Sequence, residues 1–169
     1  MQLIILNGPC GVGKSTAALT LHASLPLAVY LDVDATRRLI SDYHDQHEVS
    51  WRLSVDLVCT MAETALKAGH DVIVDKMLFD DAVLDRLLMI GRASGARTQE
   101  FILWASKGEV MRRAERRGYR LDSLFTPEKC ERFWHEIEAL RVRRSQVMVL
   151  DVENMSSEQV VAELRRQLV

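Results

Sequence analysis

Residues 8–16 read GPCGVGKST and lie between the apolar run LIIL (3–6) and the helix-forming AALTL (17–21). Three glycines and one lysine in so short a space need something negative to wrap, and a strand and a helix to hold the loop at its two ends. Gly8, four intervening residues, Gly13, Lys14 and Ser15 complete the Walker A spacing, in the strand–loop–helix context it requires. Glycine lets successive main-chain N–H groups turn inward toward phosphate oxygens, where side chains would obstruct. Pro9, Cys10, Gly11, Val12 and Thr16 fill out the expected cradle. Lys14 would reach the outer phosphates, Ser15 would offer its hydroxyl to Mg²⁺, and the helix that follows would present its positive end. ATP is favoured over GTP, because no Asn/Thr-Lys-x-Asp segment is present to read guanine.

The rest of the chain continues the same rhythm. LAVYL (27–31), DVIVD (71–75), EFILW (100–104) and VMVLDV (147–152) join LIIL as brief aliphatic runs. Their unbroken apolar character predicts strands covered on both faces. Helices are expected over 14–24, 35–43, 51–68, 81–93, 107–117, 128–144 and 157–168. Thr126–Pro127 signals a helix start, and Ser156 with Gln159 has the form of a capping box. Gly69 and Gly118 mark helix ends. At 169 residues the chain is expected to form one α/β domain with a mainly parallel sheet. Ligands of such sheets bind beyond the carboxyl ends of the strands.

Acidic residues stand at those ends. Asp32 and Asp34, in LDVDATRRL, follow the second strand at i, i+2 spacing. Either could take the proton of an attacking hydroxyl, and either could cap the helix after it. Asp75 closes DVIVD as a Walker B carboxylate does, a place for Mg²⁺ bound directly or through water. Asp80 and Asp81 are read as the start of the next helix. MRRAERRGYR carries Arg112, Arg113, Arg116, Arg117 and Arg120, a broad basic face before Gly118 interrupts it. Such a stripe can close over phosphates and stabilise charge on a transferring group; its alternative is a solvated basic face.

Other signals are bland. The net charge of −2 gives no global pull toward nucleic acid or anionic membrane. No apolar run approaches membrane-span length. Cys10, Cys59 and Cys130 are read as reduced thiols of a cytoplasmic protein. HDQHE (44–48) lacks the zincin order, and RVRRS (141–145) reads as the charged end of a long helix.

Taken together, IILNG before the loop, Val33–Asp34, VIVD at 72–75 and RAERRGYR at 113–120 resemble small P-loop kinases with the nucleoside-monophosphate-kinase-like fold. The nearest likeness is to chloramphenicol phosphotransferase-like proteins and AAA-domain predicted kinases, and it extends over about two-thirds of the chain. The resemblance implies a three-layer α/β/α fold, a five-stranded parallel sheet and a small arginine-rich lid near 112–126. It places Asp34 as general base, Asp75 as the carboxylate after the third strand, and Arg113, Arg117 and Arg120 on the lid near adenine and phosphates. Lys76 departs from the family, standing where drug-phosphorylating relatives have a second acidic residue. The segment 42–52 (DYHDQHEVSWR) also differs, and it should shape the acceptor pocket.

The expectation is an ATP- and Mg²⁺-dependent phosphotransferase with catalytic Lys14, Asp34 and Arg117, moving the γ-phosphoryl group to a hydroxyl of a small acceptor. An antibiotic, a sugar or a nucleoside has the required hydroxyl. Two other readings use the same residues: a kinase for nucleotide or polynucleotide 5′-hydroxyl ends, with Arg37 and Arg38 on a terminal phosphate, and an ATP-binding switch without transfer. Either a monomer or a homodimer is compatible with the chain.

Overall fold

The computed structural model describes residues 1–119 and 125–168. Within them the order is β1 (Gln2–Asn7), α1 (Lys14–His22), β2 (Val29–Asp32), α2 (Val33–Arg37), α3 (His47–Lys67), β3 (Val72–Asp75), α4 (Asp81–Ala93), β4 (Arg97–Trp104), α5 (Lys107–Arg117), α6 (Pro127–Arg143), β5 (Met148–Asp151) and α7 (Ser157–Gln167). The strands form one five-stranded sheet in the order β2-β3-β1-β4-β5, with every pairing parallel.

The continuous apolar runs now have a cause. Leu3, Ile5, Val72, Val74 and Ile102 face a core built with α3 and α4, including Val58, Ala62, Leu66, Leu84 and Leu87. Ile4, Leu6, Ile73, Phe101 and Leu103 point the other way, onto Ala18 and Leu21 of α1 and Val160, Val161 and Leu164 of α7. Both faces of the central strands are therefore dry, and alternation has nowhere to put a polar residue. Leu3, Ile4, Ile5 and Leu6 are wholly inaccessible to solvent. Full burial contributes about 1.5–3 kcal/mol for each such side chain. The four together rival the net stability of a typical domain, about 5–15 kcal/mol. The strand that carries the glycine loop is thus firmly anchored. β5 departs from the expectation of two covered faces: Met148 and Val149 are 37% and 39% exposed, because this strand lies at the sheet edge with a neighbour on one side only.

Helix boundaries follow local chemistry. Thr126 caps α6 by accepting the Lys129 N–H, with Pro127 in the first turn. Ser156 and Gln159 exchange side-chain and main-chain hydrogen bonds ahead of α7, a complete capping box. Gly69 follows α3 at φ +87° and Gly118 closes α5 at φ +86°. The helix expected over 35–43 is shorter and earlier, at Val33–Arg37, because Asp32 starts it: its Oδ1 accepts the N–H groups of Asp34 at 2.7 Å and Ala35 at 3.1 Å. Likewise α3 begins at His47, four residues before the expected 51. No helix among the described residues is long and apolar enough to cross a membrane.

Candidate functional site

β3 lies on one side of β1 and β4 on the other, so the connections above the carboxyl end of β1 diverge and leave a cleft there. Residues 8–16 line its floor. Gly8 takes φ +141°, and a Cβ there would lie 2.3 Å from the Leu103 carbonyl oxygen, so the loop passes too close to β4 for any side chain. Gly13 takes φ +102° as N-cap of α1, and no side chain caps that helix. The first-turn N–H groups of α1 therefore have no side-chain partner and face the cleft as an anion site.

Asn7, the asparagine of IILNG, holds this loop and is fully buried. Its Oδ1 accepts the N–H groups of Gly8 at 2.8 Å and Leu78 at 3.0 Å, and its Nδ2 donates to the Leu78 carbonyl at 2.8 Å. A single amide thus fastens the start of the glycine loop to the segment that follows β3.

Lys14 curls back over the loop, its Nζ donating to the Pro9 carbonyl at 2.9 Å. Burial pushes its ammonium down to about 8, while the carboxylates of Asp75 and Asp34 pull the other way. A lysine so placed gains strongly from any further negative charge. Asp75, 4% exposed at the end of β3, accepts a hydrogen bond from the Tyr30 hydroxyl at 2.9 Å. Tyr30 thereby holds one oxygen of Asp75, which with Ser15 is expected to serve a metal.

Asp32 and Asp34 separate into two roles. Asp32 commits Oδ1 to the α2 amides. Asp34 is half exposed in the first turn of α2 and meets Lys76, with Nζ 2.5 Å from Oδ1. Lys76 is nearly covered and lies over the Trp51 ring, 5.4 Å from its centre. The residue that breaks the family pattern is the direct partner of the expected base.

The arginines also divide. Arg112 and Arg113 both grip Glu109, whose carboxyl is held down to about 2 by hydrogen bonds from Arg112 and then Arg113. Arg113 further donates to the carbonyls of Val152 at 3.1 Å and Glu153 at 2.8 Å, which braces α5 against the turn after β5. Arg116 is exposed and, with Arg112 and Arg113, lines a cavity of about 380 Å³ that Gly11, Gly13 and Val152 also border. Arg117 is exposed with its guanidinium 5.3 Å from the centre of the Phe125 ring. Arg120, expected beside it, lies outside the described residues, as does the 120–124 stretch of the expected lid. Arg37, expected to hold a substrate phosphate, instead turns inward: it donates to Ser50 Oγ and to the carbonyls of Tyr43 and His47, pinning the segment before α3. Arg38 remains on the surface.

Residues 3–140 match the family model AAA_33, described as an AAA domain. No curated protein matches the chain. Among solved structures, the Deinococcus radiodurans tunicamycin resistance protein is 24% identical with a TM-score of 0.69, covering 99% of this chain and 95% of its own. A sugar kinase from Janibacter sp. HTCC2649 is 14% identical with a TM-score of 0.71, over 99% and 94% of the two chains. Thymidylate kinase from Candida albicans is 13% identical with a TM-score of 0.69, over 99% and 90%. At these identities the likeness establishes the fold, a three-layer P-loop kinase architecture.

Proposed function

The chain belongs to the AAA_33 family of AAA domains, and on that premise we propose that it is an ATP-dependent phosphotransferase acting on a hydroxyl of a small molecule. One observation carries the reading: Asp75 pairs with Leu6 of the strand that leads into the Lys14 loop, and the next residue, Lys76, meets Asp34 just beyond β2. Phosphate grip, metal carboxylate and base thus converge on one cleft, the arrangement that transfer in line requires.

Main-chain amides of residues 8–16 and the Lys14 ammonium bind the triphosphate. The cavity beside Gly11, Arg113 and Val152 receives the base of the nucleotide, with Arg116 at its edge and Arg117 further along the same helix. The donor set suits magnesium: a serine hydroxyl and a buried carboxylate are hard oxygen ligands, and Mg²⁺ in nucleotide sites takes few protein ligands beside phosphate and water. When bound, it neutralises charge on the phosphate oxygens; Ser15 and Asp75 would hold it. Asp34 keeps Oδ1 on Lys76 and presents its other oxygen to the acceptor. The acceptor O–H proton passes to Asp34, the acceptor oxygen bonds to the γ-phosphorus, and the bond from that phosphorus to the bridging oxygen breaks, releasing ADP. Arg37, Ser50 and Trp51 shape the acceptor side, where segment 42–52 gives this chain its own selectivity.

The test is transfer of label from γ-labelled ATP to fractionated small metabolites. A labelled, alkali-stable phosphomonoester is expected; tight ATP binding with no labelled product from any fraction would instead favour a nucleotide switch.

A further inference from the structure

Tyr30 belongs neither to the phosphate loop nor to the strand-end carboxylates, yet it touches one of those carboxylates. It sits on β2 opposite Ile73 of β3, on the face that meets α1. Asp32 pairs with Asp75 one pleat further along, so the Tyr30 side chain, leaning along the strand, reaches the neighbouring carboxylate diagonally. Its oxygen donates to Asp75 Oδ2 at 2.9 Å. The ring is steadied from the other side by His22, whose centroid is 6.0 Å away and whose Nε2 is fixed at 3.0 Å from the Ala28 carbonyl. A phenol at this place has no packing need for its oxygen; phenylalanine would fill the same volume.

We propose that Tyr30 is a positioning residue for the magnesium-bearing carboxylate, its hydroxyl setting the orientation of Asp75. The proposal rests on the reading of the cleft as a Mg·ATP site. Without the hydroxyl, Asp75 loses its hydrogen-bond donor and samples other rotamers, and metal binding must order it first.

The experiment compares wild type with Tyr30→Phe by calorimetric titration of ATP in EDTA and of ATP with excess Mg²⁺. Tyr30→Phe should bind metal-free ATP within about twofold of wild type, while the tightening that Mg²⁺ produces falls about tenfold, a loss within the range for outer hydrogen-bond partners of metal ligands. Equal tightening in the two proteins, or a matching loss with and without metal, overturns the proposal. A wild-type protein that binds no ATP in either condition refutes the underlying nucleotide reading instead. A second measurement does not depend on the variant's folding. In fluorotyrosine-labelled protein with Tyr43→Phe and Tyr119→Phe, the remaining ¹⁹F signal should shift when Mg²⁺ is added to the ATP complex. No shift on adding metal overturns the role of Tyr30.

Discussion

Lys76 Nζ and Asp34 Oδ1 lie 2.5 Å apart, joining the residue after β3 to the first turn of α2. The two are far apart in sequence, and the contact exists because β2 and β3 are paired so that Asp32 stands opposite Asp75. It fixes one oxygen of the proposed base and leaves the other free. Asp34→Asn should keep ATP binding and slow transfer by about 10²–10⁴, the usual worth of a general base. Lys76→Met should change stability by less than about 1 kcal/mol, because its partner is half exposed. Transfer should nevertheless fall by about tenfold or more as the base loses its alignment. Steady-state kinetics beside thermal melts separates the two effects.

Asn7 makes a prediction about folding. Asn7→Ala strands the Leu78 N–H and C=O and the Gly8 N–H in a dry interior. Leaving such groups unmatched costs about 1–3 kcal/mol each where no water can enter. Three such groups sum to about 3–9 kcal/mol if nothing relaxes; single substitutions seldom exceed about 5 kcal/mol, so a loss of about 3–5 kcal/mol is expected, read as a Tm lower by about 6–20 °C. The glycine loop should also become more accessible to proteolysis.

Glu109 makes one about pH. Hydrogen bonds from Arg112 and Arg113 hold its carboxyl at about 2, against 4.5 for an ordinary glutamate. A depressed carboxyl stabilises the fold above its unfolded value, and that stability drains as pH falls through the folded value. Glu109→Gln should therefore melt below wild type at neutral pH, with the gap unchanged down to about 4.5 and closing toward about 2. A gap constant over that range would mean the arginines do not depend on the charge of Glu109.

What the sequence made legible was local. The Walker A spacing, the Thr126–Pro127 cap, the Ser156–Gln159 box and the apolar strands each depend on residues a few positions apart; the cap, the box and the central strands have the form expected, and β5 lacks its second cover. The choice between Asp32 and Asp34 stayed open in the sequence because a cap and a base share one residue type; the amides of Asp34 and Ala35 assign the cap. The arginine stripe read as one broad basic face because the partners of Arg113 include main-chain carbonyls of Val152 and Glu153, which no side-chain pattern reveals. The contacts of Asn7, Tyr30 and Lys76 were not legible for a related reason: each has a partner 42–71 positions away that it meets only through strand pairing.

The central claim is that the loop around Lys14 grips a triphosphate, and calorimetric titration of Mg·ATP into wild type and Lys14→Met tests it most directly. Saturable one-site heat is predicted for wild type, with affinity reduced about 100-fold or more in the variant, the loss of a charge-assisted contact in a partly buried site. No heat with wild type, or equal affinity in the two proteins, would contradict it.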